Sequence, residues 1–450
     1  MENKIYGCID LKSFYASVEC AERGLDPFKT NLVVADPSRG SGGICLAISP
    51  AMKNLGIKNR CRLFEIPKNV KYITALPRMK KYMEYSANIY SIYLKYMSKE
   101  DIYIYSIDEC FFDFTPYLSS YGKTPREFAV MLMEVVMKNT GVCATAGIGT
   151  NLFLAKVALD ITAKHISDNI GFLDENEFKK TIWHHRPITD IWNIGKGIAK
   201  RLEKYGVQDL YGVAHMDESI LYKEFGANAE FLIDHSKGYE PCTIKEIHDY
   251  KPKTESISNG QILFNDYNFD EALIVLYEMV DQLVLELTQR KSKTNSISLY
   301  VRYSKECTAS TGGTRKLNFR SSSYRKILSE FEKLYRETTK KNYPIRQINV
   351  GLNHIEEDEF QQLDCIARCH SSRIQPVIKI NIILSDPLCK MIVFISTFQQ
   401  YCQFIIMGRN HHKTILSLHI IQNRFGCRNS LFRVSSFQDL INNADRQLLF

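Results

Sequence analysis

The sequence predicts an α+β chain of several small domains. Three observations carry that prediction. Short extended runs and helical repeats interleave over the first 170 residues, and a mostly helical stretch fills 172–238. Residues 255–352 then run strand, helix, strand, strand, helix, strand, which is a split-βαβ unit. Finally, 450 residues at 45% hydrophobic content can bury a sizeable core and exceed one ordinary domain; about three are expected.

The elements follow in order. Residues 5–9 read as a short buried strand ending at Asp10, and Asp10-Leu-Lys-Ser-Phe-Tyr15 turns into a helix carrying Val18 and Ala21. Residues 32–35 are a second strand, 36–43 a turn-rich loop and 44–48 a third strand. From 77 to 99 apolar residues recur at helical spacing. Residues 102–107 and 110–114 are extended runs meeting at Asp108-Glu109, a β-hairpin with carboxylates at its tip. Helix 125–139 and strand 142–149 follow, and Thr150 is placed to cap a helix over 151–164. Within the helical stretch, residues 191–202 read as helix, glycine turn, helix. Residues 239–254 are polar with two prolines, as a linker would be.

Charge is unevenly spread. The net +8 hides a neutral first 250 residues, a net +6 over 251–355, five acids without a base over 356–364, and a net +7 over 365–450. A basic domain of this size suits a phosphate backbone, and equally an ordinary solvated surface. Thirteen cysteines lie scattered without a paired framework, which points to reduced thiols in a cytoplasmic protein. No signal peptide is visible. Residues 391–408 carry no charge but are interrupted by Gln399, Gln400 and Gln403, so no membrane span is expected.

Asp10 ends a strand, and Asp108 and Glu109 sit at a hairpin tip. Adjacent strand residues point to opposite faces, so both reach one site only at a bend. Carboxylates gathered there suit Mg²⁺, although most Asp-Glu pairs are surface charges. The turn at 194–197 offers free backbone N–H groups to a phosphate, or is a plain αα turn. Lys156 and Lys164 lie eight apart on one predicted helix and could meet phosphates or solvent.

Together these motifs resemble the Y-family (UmuC/DinB-type) translesion DNA polymerases. The resemblance is carried by Ile9-Asp10-Leu-Lys-Ser-Phe-Tyr-Ala-Ser-Val-Glu19, by Tyr105-Ser-Ile-Asp108-Glu109-Cys-Phe-Phe-Asp113, and by Ala146-Gly-Ile-Gly-Thr-Asn-Leu-Phe-Leu-Ala-Lys156 with Ala163-Lys164; it covers about residues 4–364. It implies a right-hand polymerase: a split-βαβ palm (1–22 and 72–170), small fingers (23–71), a helical thumb with a helix-hairpin-helix (171–240), a linker (241–253) and a βαββαβ little finger (254–355). It further implies template-directed, low-fidelity synthesis past damaged bases, with primer-template DNA, dNTPs and a sliding clamp as partners.

Residue roles are implied the same way. Asp10, Asp108 and Glu109 match the carboxylates that hold two Mg²⁺ ions, with the Leu11 carbonyl as a further ligand. Tyr15 matches the steric gate against a 2′-hydroxyl, Phe14 the aromatic beside it, and Lys164 the lysine that meets the triphosphate. Family members mostly carry Tyr-x-x-Arg in the fingers, where this chain has Pro50 and Lys53. Lys53 replaces the Arg as a point charge without its fork, and Ser49 is the polar neighbour placed to substitute for the Tyr hydroxyl. Gly195, Lys196, Gly197 and Lys200 are the expected DNA contacts of the thumb. A nucleotidyl cyclase and a catalytically impaired DNA-binding or scaffolding relative are the competing readings; the glycine turn and basic unit speak against the first, the intact carboxylates against the second.

The family's clamp-binding peptide has the form Gln-Leu-Ser/Asp-Leu-Phe. Here Gln362-Leu363-Asp364 is followed by Cys365-Ile366, so 356–364 read as a remnant with weakened clamp binding. From the same point glutamate disappears and five cysteines fall in 86 residues. That coincidence predicts that codons after Asp364 are read out of frame, giving an atypical tail without a folded domain.

Overall fold

Tyr6–Leu11 is the middle strand of a five-stranded sheet, and its residues show why. Tyr6, Cys8, Ile9 and Leu11 are all buried, as a strand covered on both faces requires. The order across the sheet is Ile102–Ile104, Glu109–Asp113, Tyr6–Leu11, Ala144–Gly149, Ile170–Leu173, antiparallel except for the last pair. The computed structural model describes residues 4–166, 168–304 and 308–357, together with the backbone of 401–407 and 413–419. These fall into two units, Met1–Asp358 and Glu359–Phe450.

Helices Met79–Tyr93 and Pro125–Thr140 cover one face of this sheet, packing Ile89, Tyr93, Phe128 and Leu132 on Ile9, Leu11 and Phe112. The other face carries Tyr6, Cys8 and Phe111 and receives Leu152 and Ala155 of helix Leu152–Val157. Gly147 and Gly149 let that helix sit close. A Cβ at Gly147 would stand 2.1 Å from the Ala155 carbonyl oxygen, and one at Gly149 would stand 2.3 Å from the Ala155 nitrogen. The helix expected over 151–164 is regular only to Val157. It continues as a π-turn, Ala158–Thr162, and a 3₁₀ turn, Ala163–His165. Its cap is Asn151, whose side chain accepts from Leu154 N–H at 2.8 Å, and not Thr150, whose hydroxyl is buried without a partner.

A second, three-stranded sheet joins Ala47–Ile48, Leu32–Val34 and Ile73–Ala75 around Val33, Ile48, Met52 and Cys61. The strand expected over 44–48 shrinks to its last two residues, because Ile44 makes only a lone bridge to Arg62. Short helices then gather Phe178, Leu202, Leu221 and Leu232 into a separate core. In the glycine-turn segment only the second helix, Lys196–Glu203, is formed. Ahead of it stands a 3₁₀ turn, Ile188–Asp190, and Asn193 at φ 66° ends any helical run before Gly195.

The stretch expected to be a bare linker holds a helix, Ile244–Asp249, started by a Thr243/Glu246 capping box. Its polar composition hides Ile244 and Ile247, which pack among Tyr6, Phe111 and Leu152. The last described domain has the expected βαββαβ order. Its strands lie as Thr311–Ser321, Ser292–Tyr303, Ile345–Glu357, Glu255–Tyr267, all antiparallel, with helices Phe269–Gln289 and Tyr324–Thr338 on one face. In the second unit, where no strand period was expected, Tyr401–Met407 and Lys413–His419 form an antiparallel pair. Both runs are rich in β-branched and apolar residues.

Gly147→Ala tests the close approach. The new methyl meets helix backbone rather than a movable side chain, so the variant should lose more than about 2 kcal/mol in urea unfolding. A change under about 0.5 kcal/mol would mean that the helix is free to lift off the sheet.

Candidate active site

Asp10 stands directly opposite Glu109 in the ladder between Tyr6–Leu11 and Glu109–Asp113. Cross-strand partners share a face, so the pairing register alone brings these two carboxylates together. Asp108 precedes the strand at the turn, where alternation is broken. Its carbonyl accepts Leu11 N–H at 2.9 Å, and the N–H groups of Tyr105 and Ser106 both reach the Glu109 carbonyl at 3.0 Å. The Ser106 hydroxyl donates to Asp108 Oδ1 at 2.7 Å.

The helix seated on Gly147 and Gly149 supplies the countercharge. Lys156 Nζ lies 2.7 Å from Glu109 Oε1 and 3.0 Å from Asp160; Lys164 Nζ lies 2.8 Å from Asp160 and 3.9 Å from Asp10. The buried Cys8 thiol also donates to Glu109 Oε1, at 3.0 Å. Burial pushes the Asp10 carboxyl up to about 7; Lys164 opposes this, while the charges of Asp108 and Glu109 add to it. Burial works against the Lys156 ammonium, but the charges of Glu109 and Asp160, with the hydrogen bond to Glu109, outweigh it and hold the group above the ordinary lysine value. Burial, reinforced by Glu109, pushes the Cys8 thiol far up, so it stays a neutral donor.

Among the described residues no three His, Cys, Asp or Glu side chains close into a metal-ligand cluster. The reason is visible: Glu109 is drawn to Lys156 and Cys8, and Asp108 to Ser106. The donor set nonetheless fits divalent cations. All three are hard carboxylate oxygens, and the burial and carboxylate repulsion that raise Asp10 are both offset by a bound cation.

Tyr15 is half-buried and stacks on Tyr82, centroids 4.6 Å apart at 19°. The Tyr82 hydroxyl donates to Glu19 at 2.9 Å, and Arg78 grips both Glu19 oxygens at 2.9 Å. Arg23 also reaches Glu19, so this fully buried carboxylate is neutralised from two sides. Phe14 is buried beside Tyr15, centroids 5.7 Å apart.

Lys53 lies within electrostatic reach of Asp10. More than a third of it is open to solvent, yet its surroundings desolvate the ammonium and push it below the ordinary lysine value; Lys164 and Lys12 push the same way and Asp10 opposes them. Ser49 is a correction. It is fully buried, its hydroxyl accepting from Leu32 N–H at 3.1 Å and Met52 N–H at 3.4 Å. It caps the helix Pro50–Asn54 and has no free face for a nucleotide.

Gly195, Lys196, Gly197 and Lys200 are exposed, and nothing lies within 4 Å of where a Cβ at either glycine would sit. Arg186 lines a groove with Lys196 and Lys200. Just before this turn, Trp192 Nε1 donates to the Tyr105 hydroxyl at 3.0 Å, tying the turn to the carboxylate hairpin. Gln362, Leu363 and Asp364 lie outside the described residues.

Sequence reasoning left Lys156 between phosphate and solvent and missed Cys8, Asp160 and Glu19. The signal for Lys156 was there: 156, 160 and 164 repeat every four residues, and the middle one is acidic.

The raised Asp10 carboxyl sets a sign. Its folded value stands above its ordinary one, so with divalent ions chelated it opposes folding increasingly as pH rises from about 4 to about 7. Asp10→Asn removes that penalty. In chelator the variant should be more stable than wild type by about 1–3 kcal/mol at pH 8, with the gap closing toward pH 4. A gap that does not change with pH in thermal unfolding would contradict the burial of an ionised Asp10.

Comparisons with known proteins complete the picture. Residues 9–160 match the impB/mucB/samB family model, and residues 254–365 match the C-terminal domain of the same family. The second match ends where the composition changes. A putative UV-damage repair protein, UvrX, of Bacillus subtilis is 30% identical over 367 residues, 79% of this chain and 84% of that protein. DNA polymerase IV 2 of the same organism is 29% identical, covering 81% and 87%, and DNA polymerase IV of Clostridium acetobutylicum 26%, covering 78% and 87%. A solved Y-family DNA polymerase chimera of Dbh and Dpo4 superposes with a TM-score of 0.63 at 20% identity, over 79% of this chain and all of the other. The chain belongs to the impB/mucB/samB family and is a bacterial Y-family DNA polymerase.

Proposed function

We propose that this chain extends a primer on a DNA template past damaged bases, and that Asp10, Asp108 and Glu109 form its catalytic centre. The observation that carries the reading is Asp10 set opposite Glu109 at one end of a buried sheet, with Asp108 at the adjoining turn and Lys164 Nζ 3.9 Å from Asp10. In this reading 1–22 and 72–170 are the palm, 23–71 the fingers, 171–240 the thumb, 241–253 a docked connection and 254–355 the little finger.

Asp10, Asp108, Glu109 and the Leu11 carbonyl would hold two Mg²⁺ ions, which supply Lewis-acid activation of the primer hydroxyl and screening of the triphosphate charge. The remaining work belongs to the protein. Lys53 and Lys164 meet the triphosphate as point charges and steady the pyrophosphate as it leaves in line with the attacking 3′-oxygen. Lys156 holds Glu109 in place through its 2.7 Å ion pair. The Tyr15 ring, with Phe14 behind it, lies under the sugar and leaves no room for a 2′-hydroxyl. Gly195, Lys196, Gly197 and Lys200 offer amides and charge to the duplex backbone, and the basic little finger extends that grip. Pairing with the template supplies base choice. The small fingers sheet, with strands of two or three residues, adds little to it, so fidelity is low. A clamp would be held weakly through the broken Gln362-Leu363-Asp364 remnant, and the location is cytoplasmic.

Primer extension with Mg²⁺ and four dNTPs, on undamaged and abasic templates, tests the reading. Wild type should extend both and Asp108→Ala neither. Nucleotide consumption that needs no primer would overturn it in favour of a cyclase. Tyr15→Ala should raise ribonucleotide incorporation on the order of a hundredfold. Unchanged sugar selection would remove Tyr15 from the gate.

A further inference from the structure

Lys12 lies two residues beyond Asp10. Its N–H donates to the Cys143 carbonyl at 2.8 Å, so the ladder continues one step past Leu11 and puts Lys12 on the face that carries Asp10. Ser13 then turns the chain sharply, at φ 50°. The Lys12 ammonium lies over the Phe28 ring, with Nζ 5.8 Å from its centroid, and Nζ donates to Asn169 Oδ1 at 2.5 Å. Asn169 is neutral. Among the described residues neither Lys12 nor Lys53 forms an ion pair, whereas Lys156 and Lys164 are both bound to Asp160. Lys164 Nζ lies 3.9 Å from Asp10, Lys12 continues the ladder on Asp10's face, and both charges act on the Lys53 ammonium.

Two uncompensated ammonium groups next to a third repel one another. A cluster of this kind, only partly offset by Asp10, suits an anion with several charges. Lysine heads also suit such an anion, as each is a compact charge able to reach a different oxygen. The fingers helix brings one of the three, Lys53, and lacks a hydroxyl to help it: Pro50 has none and Ser49 is consumed by its cap.

We infer that Lys12 is a third phosphate-binding residue, closing with Lys53 and Lys164 a cradle for the triphosphate of the incoming nucleotide. This rests on the nucleotidyl-transfer reading of the site. Asn169 holds the ammonium extended when no nucleotide is present, and the nucleotide takes over that contact. The Lys12 contact is made to the bound triphosphate and to the leaving pyrophosphate alike. It therefore acts on nucleotide affinity more than on the chemical step.

The test is dNTP affinity in the full chain, measured two ways: steady-state extension, and equilibrium binding to the complex with a dideoxy-terminated primer and Mg²⁺. Lys12→Gln should raise both KM and Kd about tenfold and leave kcat within about twofold. Lys12→Met, which keeps a long side chain, should show the same loss, and Lys12→Arg should recover most of it. Asn169→Ala removes only the brace and should shift KM by less than about twofold. Wild-type extension with an unchanged Kd in Lys12→Gln overturns this inference alone. So does a loss that Asn169→Ala reproduces and Lys12→Arg fails to rescue, since Lys12 would then only brace the fold. A wild-type chain that neither extends a primer nor binds dNTP overturns the reading of the site, and this inference with it.

Discussion

Three carboxylates at one end of a sheet repel one another, and much of the surrounding architecture answers to that repulsion. The register that sets Asp10 opposite Glu109 cannot be relaxed without moving every buried side chain of the central strand to the wrong face. The charges therefore have to be met from outside the sheet. The helix from Leu152 meets them with Lys156 and Lys164, bridged by Asp160. It can do so because Gly147 and Gly149 let its backbone touch the strand. A bulkier residue at either position would withdraw the lysines as well as open the packing. The π-turn at Ala158–Thr162 falls between the two lysines, so the same short stretch sets both where Asp160 sits and where Lys164 reaches.

Much of this was legible in the sequence. The strand ending at Asp10, the hairpin with Asp108-Glu109 at its tip and the βαββαβ unit each follow from alternation, helical spacing and turn residues, which are local signals. What escaped was set by tertiary contact. Ser49 looked like a free hydroxyl, and only the fold shows Leu32 N–H and Met52 N–H converging on it. Ile244 and Ile247 are two apolar residues in a polar stretch, too few to announce a helix until the face of the five-stranded sheet that buries them is known. Glu19 is the plainest case. Its partners Arg78 and Tyr82 lie about sixty residues away, and no spacing rule links them.

The Glu19 hub also shows how the site divides its labour. Tyr15 rests on Tyr82, Tyr82 is tied to Glu19, and Glu19 is clamped by Arg78 and Arg23. A ring backed by a buried, fully paired carboxylate cannot swing aside without exposing that charge or breaking the clamp. The proposed sugar gate is thus stiff. The proposed phosphate end is built in the opposite way, from lysines on flexible stems with no guanidinium fork to fix an angle.

A stiff sugar check joined to a loose phosphate grip has a physical consequence for copying damaged DNA. A distorted template base shifts the pair it forms, and the triphosphate has to move with it. Arginine forks would penalise that shift, because bidentate bonds weaken steeply with angle. Point charges follow it at little cost, since Coulomb attraction varies slowly over an ångström. In the proposed site the sugar would stay against Tyr15, whose ring is backed by Tyr82. If Lys53 meets the triphosphate as proposed, a lysine there gives up directional grip and would widen the range of template geometries from which the 3′-oxygen can still attack in line.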